Sequence, residues 1–313
     1  MLAAALAACL ALPAAGSPSP VSVGVHVNDI HDLDVKTHSY SVDLYLWFRW
    51  TDPALDPAAT LEFINPFETW SQTRQLDHEK PVRAGGELYQ VVRVNGRFSR
   101  KLRLDDYPFD RQTLVVDFED HRRGADELEY RAGPDAATVD PALELPGFRI
   151  GKPRLSVAPR AYPTAFGDPR RTRPETYSRV RLEVPIERPR LTYAAKLLVP
   201  ILCVVLCAAL MFLFHPRHVD SRVGIGITAL LTVVALQITL NDELPEISYL
   251  VLMDKVYLGA YLFMISGLGV VVRSTWLLER GSVARAVTAD RQALAVLLAL
   301  YLSAAAWLIL SCL

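Results

Sequence analysis

The sequence predicts an extracellular antiparallel β-sandwich followed by a four-helix transmembrane bundle. Three observations carry that expectation. Residues 21–190 are charged, rich in proline and patterned with a period of two. Residues 191–313 are mostly apolar and contain four long spans. The first 16 residues form an apolar, alanine-rich leader that reads as a secretory signal peptide. The expected division is therefore 1–16 leader, 17–190 sandwich and 191–313 membrane domain.

The strands are read from alternation. Val42, Leu44, Leu46, Phe48 and Trp50 alternate with Asp43, Tyr45, Trp47 and Arg49. Leu114, Val116 and Phe118 alternate with Val115, Asp117 and Glu119, and Val180, Leu182, Val184 and Ile186 with Arg181, Glu183 and Pro185. A strand whose side chains point to opposite faces needs this pattern when one face is buried. Asn95-Gly96, between two such runs, reads as a hairpin turn.

The spans fall at about 191–214, 222–241, 249–273 and 291–312, each long enough to cross a ~30 Å hydrocarbon core. Arg217, His218 and Arg222 follow the first span, and Arg273, Arg280, Arg285 and Arg291 surround the third connection. The second connection, Asn241 to Ser248, is acidic. The positive-inside rule then places the first and third connections in the cytoplasm, with the sandwich and the C-terminus outside. The expected location is a cell inner membrane, with those parts periplasmic or extracellular.

The second span is unlike the others. Gly224, Thr228, Leu231, Ala235, Ile238 and Asp242 recur every three or four residues, on one helix face. A lipid-facing helix has no need of a narrow stripe that is small and partly polar. Several copies around an axis would make it a pore wall.

Other classes fit poorly. A formal net charge of -1, with no basic run, argues against nucleic-acid binding. No metalloprotease, nucleotide-loop or triad-like motif suggests an enzyme, and no cofactor or metal is implied. The cysteines are Cys9, Cys203, Cys207 and Cys312, so the sandwich has none to form a disulfide. Cys203 and Cys207 read as small packing residues, and Leu6-Ala7-Ala8-Cys9 looks like a lipoprotein box with a short apolar lead.

Tyr107-Pro108-Phe109-Asp110-Arg-Gln resembles the signature loop of the pentameric ligand-gated ion channels, the Cys-loop receptor superfamily. Trp50-Thr-Asp52, Arg188, Arg222, the Val-Gly-Ile-Gly-Ile-Thr helix and Pro245 match the family in order. The family's bracketing cysteines would fall at Lys101 and Leu114, and their absence matches its bacterial branch.

The resemblance implies a homopentamer in the lipid bilayer, gated by a small-molecule agonist or protons and passing monovalent ions. It makes Leu231, Ala235 and Ile238 apolar pore rings above Thr228 and Gly224. It makes Tyr107, Pro108, Phe109, Asp110, Arg188 and Pro245 gating-coupling residues, with Asp34 as a third member of an Asp110–Arg188 cluster. For the ligand it points to Tyr45, Ile64, His121, Arg122, Tyr162, Phe166 and Tyr177. An aromatic cage there favours an amine, whereas Arg170, Arg171 and Arg173 favour an anion. Asp220 at the inner mouth, and Asp242 with Glu243 at the outer, lead to an expectation of cation selectivity. The alternatives are an anion channel of the same family or a non-conducting membrane-anchored sensor.

Overall fold

A computed structural model describes residues 17–164 and 175–311. The leader, Cys9, Phe166, Arg170, Arg171, Arg173 and Cys312 lie outside them.

Eleven strands are described: β1 (Ser19–Asp34), β2 (Ser39–Trp50), β3 (Leu61–Phe63), β4 (Thr73–Leu76), β5 (Val82–Ala84), β6 (Glu87–Ser99), β7 (Arg111–Asp120), β8 (Leu128–Val139), β9 (Arg149–Ile150), β10 (Arg154–Ala161) and β11 (Thr176–Glu187). One sheet runs β4-β6-β2-β1-β8, with β5 on β6; the other runs β10-β11-β7-β3, with β9 on β11. Val42, Leu44, Leu46 and Phe48 of β2 pack with Leu114, Val116 and Phe118 of β7 and Val180, Leu182 and Val184 of β11. That burial, across two facing sheets, drives the sandwich together. Tyr40 ties the sheets: its hydroxyl donates to the Val115 carbonyl at 2.7 Å and accepts from the Val115 N–H at 2.8 Å. Burial pushes this phenol up to about 12.

Two expectations need correction. The sandwich is not wholly antiparallel, because β1 and β8 pair in parallel. Nor does Asn95-Gly96 turn the chain. Both residues lie inside β6, opposite Asp43 and Val42 of β2. Twelve consecutive pairings with β2 outweigh a two-residue turn preference. The turn falls at Gly85-Gly86, both at positive φ, between β5 and β6.

The four helices are α1 (Arg190–Ala209), α2 (Val219–Glu243), α3 (Leu252–Glu279) and α4 (Val283–Leu310). All four are long and apolar enough to cross a membrane. α2 ends where Leu244 turns extended before Pro245, a residue that disfavours helix just ahead of it. The Asp254 carboxylate accepts the Val251 N–H at 3.0 Å and so begins α3. α3 and α4 run further than their apolar spans. Arg273, Arg285 and Arg291 are therefore helical, and only the turn around Arg280 and Gly281 connects the two helices.

Candidate functional site

All six residues of the stripe on α2 are exposed in the single chain, Leu231 at 63% and Ile238 at 57%. The opposite face, Arg222, Gly226, Ala229, Val233 and Leu240, is buried against the other helices. The helix thus spends one face on its own bundle and leaves the other unpartnered. Thr232 and Thr239 satisfy their hydroxyls on the carbonyls of Thr228 and Ala235, so they add polarity beside the stripe without an unpaired donor.

The first turn of α2 carries Asp220, which is exposed, and Arg222, which is fully buried. The Arg222 guanidinium meets the Asp290 carboxylate of α4 at 2.9 Å. It also donates to the Met211 carbonyl at 2.7 Å and to the Ser274 hydroxyl of α3 at 2.8 Å. Its charge is turned inward and matched, so Asp220 is the exposed charge within the first turn, with exposed Arg217 and His218 just ahead of the helix. Neither Asp290 nor Ser274 stood out in the sequence reading. A lone carboxylate in a largely apolar helix was the available signal.

The sandwich meets the bundle at the Tyr107 loop. Tyr107, Pro108, Phe109 and Asp110 are all buried, and the Tyr107–Pro108 bond is cis. Leu104 and Tyr107 belong to the hydrophobic core of the bundle rather than that of the sandwich. The Leu104 N–H donates to the Tyr249 hydroxyl at 3.0 Å, and the Leu252 N–H to the Asp105 carbonyl at 2.9 Å. Burial pushes the Tyr107 phenol up to about 12. Pro245 is buried at the head of the α2–α3 connection.

Arg188, two residues before α1, reaches Asp110 at 3.1 Å, and both side chains are buried. Gln112 donates to the other Asp110 oxygen at 2.7 Å. The guanidinium lies over the rings of Phe148, Tyr107 and Tyr193 at 4.5, 5.0 and 5.1 Å. Asp34 is not a third member of this cluster. Its carboxylate accepts from the Lys36 N–H and the Thr37 hydroxyl, both at 2.8 Å, and faces Arg97 at 3.9 Å. Partial burial raises its pKa, but these local bonds outweigh that and hold it below the usual range. What crosses to the bundle from this turn is Lys36, whose ammonium donates to the Asp242 carbonyl at 3.4 Å.

The expected ligand residues divide between the outward faces of the two sheets. On the β11 sheet, Tyr162 and Tyr177 meet edge to face at 5.7 Å. The Tyr162 hydroxyl donates to Glu119 at 2.8 Å, and Arg179 holds the other Glu119 oxygen at 2.9 Å. Burial, then the bond to Glu119, raises the Tyr162 pKa. Glu62, which is exposed, stands directly opposite Glu119 across β3 and β7. Ile64 bonds through its N–H to the Asp117 carbonyl, His121 bonds to the Thr60 carbonyl, and Arg122 donates to the His121 ring at 3.3 Å. Tyr45 lies on the β2 sheet under the Arg93 guanidinium, 5.3 Å away. Arg93 is clamped by Asp43, whose pKa those hydrogen bonds hold down. Tyr45 and Tyr162 therefore share no face within one chain.

No family model matches the chain. Among curated proteins, 79 match it significantly. It is 24% identical to the serotonin-gated chloride channel mod-1 of Caenorhabditis elegans over 275 residues, 81% of this chain and 54% of the relative. It is 22% identical to the gamma-aminobutyric acid receptor subunit beta-4 of Gallus gallus over 270 residues, 80% of this chain and 53% of the relative. The chain thus spans about half the length of these relatives.

Proposed function

The chain is a member of the Cys-loop receptor superfamily, the pentameric ligand-gated ion channels, and on that premise we propose that it is a subunit of a homopentameric ion channel rather than an enzyme. One observation carries the reading. The stripe on α2 is exposed along its whole length, while the opposite face, Arg222, Gly226, Ala229, Val233 and Leu240, is buried in its own bundle. Five copies around an axis would turn Leu231 and Ile238 into apolar rings that exclude ions by dewetting, with Gly224 and Thr228 lining the inner half. Recording from purified protein in planar bilayers tests this. A protein that inserts as a pentamer and passes no current, under any agonist or with a polar residue at Leu231, would sink it.

For gating, the junction of Tyr107, Asp110, Arg188, Lys36 and Pro245 would carry sandwich motion to the helices. The proposed agonist is an amine, held between neighbouring copies. Glu62, exposed opposite the Arg179-bound Glu119, supplies negative charge near Tyr162, and Tyr45 would come from the next copy. Serotonin and gamma-aminobutyric acid, named in the relatives, both carry an ammonium group.

For selectivity we keep cations, because Asp220 and Asp242 are exposed while Arg222 is buried against Asp290. The name of the chloride-channel relative favours the opposite sign. A reversal potential in a sodium chloride gradient decides. Reversal near the chloride equilibrium potential assigns an anion channel.

A further inference from the structure

Arg222 follows Asp220 by two residues, about 3 Å along the axis of α2 at about 1.5 Å per residue. Asp220 is exposed, whereas Arg222 is 0% exposed. The other members of its buried face, Gly226, Ala229 and Val233, are small or apolar. An arginine in that row stays there because of what it meets, and three groups outside α2 meet it. The Asp290 carboxylate of α4 lies at 2.9 Å, the Ser274 hydroxyl of α3 at 2.8 Å and the Met211 carbonyl, ahead of α2, at 2.7 Å. Of the three, Asp290 alone carries a charge.

That difference divides their roles. A guanidinium keeps its proton in a protein, so Arg222 cannot shed its charge when the counter-charge is removed. A hydroxyl and a carbonyl do not neutralise it, and an unmatched buried charge is strongly unfavourable. The remedy open to arginine is its length, which lets the head reach water while the stem stays on apolar surface. Arg222 lies in the first turn of α2, and exposed Arg217 and His218 just ahead of the helix show that solvent begins within one turn of it. The water it would reach is at the same end of the helix as Asp220.

We propose that Asp290 is a positioning residue for ion selectivity: it holds Arg222 inside the bundle and so keeps five positive charges out of the inner mouth of the pentamer. The inference rests on the reading of the chain as a pore-forming pentamer. It goes beyond that reading by placing a determinant of selectivity on α4, a helix that carries no residue of the stripe. Asp290 touches no permeating ion and acts only through where it keeps Arg222.

Reversal potentials in a sodium chloride gradient test this for the wild type, Asp290→Asn, and Arg222→Met combined with Asp290→Asn. Asp290→Asn should lower the sodium-to-chloride permeability ratio about threefold or more, the effect of five charges about 10 Å from the ion under physiological screening. The double variant should return to the wild-type ratio, because the charge that moved is gone. An unchanged ratio in Asp290→Asn, or a double variant shifted as far as the single one, would overturn the proposal and leave Asp290 a purely structural residue. Where Asp290→Asn alone fails to assemble, co-expression with wild-type chains lowers the load, and the shift should grow with the number of variant copies. A second readout needs no current. Ser221→Cys, at an exposed position between Asp220 and Arg222, is placed in a chain whose other cysteines are alanine. Its reaction rates with a sulfonate-bearing and a trimethylammonium-bearing thiosulfonate report the local potential. The anionic-to-cationic rate ratio should rise about threefold with Asp290→Asn and fall back in the double variant. Equal ratios in all three backgrounds would overturn the proposal even if the protein passes no ions. Wild-type reversal near the chloride potential, with the rate ratios moving as expected, would fail the cation reading and uphold this one.

Discussion

Arg222 and Asp290 form an ion pair of 2.9 Å between the first turn of α2 and the first half of α4, with neither side chain more than 2% exposed. It joins the helix that carries the stripe to the one least packed within the bundle, for only 6% of the apolar window of α4 is buried. Removing one partner leaves the other charged, buried and unmatched. Asp290→Asn should therefore cost about 3–5 kcal/mol, against a smaller loss when both are replaced by apolar residues of similar volume. Thermal melting in detergent checks it. A double variant no more stable than Asp290→Asn would count against pairing as the reason.

Asp110 and Arg188 should couple during activation. Each sits in a buried cluster, so either single substitution strands a charge, and the interaction energy in a double-mutant cycle should be about 1–3 kcal/mol. Agonist response, or spontaneous opening in a leaky background, supplies the readout. Strict additivity with pentamers intact would separate the two residues functionally.

Leu231→Ser should raise resting current. The exposed leucine is the innermost of the three apolar members of the stripe, and a hydroxyl at each of five positions would wet the constriction. Planar-bilayer recording without agonist reads this directly. A quiet, normally activating variant would move the gate to Ile238.

Gly24→Ala should destabilise the sandwich. Gly24 pairs with Trp47 across β1 and β2, and a Cβ there would land inside the indole ring. The indole lies over a rigid strand, so relief requires moving it off its partner, at about 1–3 kcal/mol. Denaturation of the variant measures the cost, and an unchanged midpoint would show that the ring moves freely.

His38 should make stability fall on acidification. Its Nδ1 accepts the Leu102 N–H at 3.2 Å, which only the neutral ring can do. Burial, with Lys101 beside it, lowers its pKa below 6.5, opposed by Asp34. A base with a depressed folded pKa favours folding above its unfolded pKa. The advantage is lost as pH falls through 6.5 towards the folded value. The melting temperature of the wild type should drop more than that of His38→Gln between about pH 7.5 and 5.5, a window set by that lowered pKa. Parallel curves would show that His38 contributes nothing to the slope.

The strand faces were legible because burial on one side forces alternation, as Leu114, Val116 and Phe118 show. The stripe was legible because a helix face without a partner keeps its own composition. Asn95-Gly96 misled because a local turn signal carries no information about the partner strand that overrode it. Asp34 misled for the converse reason. Its own neighbours, Lys36 and Thr37, satisfied it before Arg188 could. Asp290 was missed because its meaning depends on Arg222, distant along the chain and opposite only once the helices pack.

Leu104 and Tyr107 leave the sandwich and finish inside the bundle, so the two halves interlock like tenon and mortise rather than resting on a hinge. A cut at the chain boundary near Arg190 would therefore not free a clean water-soluble domain. It would pull a greasy peg from its socket, and the released fragment would cling to detergent or to itself. Anyone preparing the sandwich alone, for crystals or for binding assays, would need to make that peg polar first.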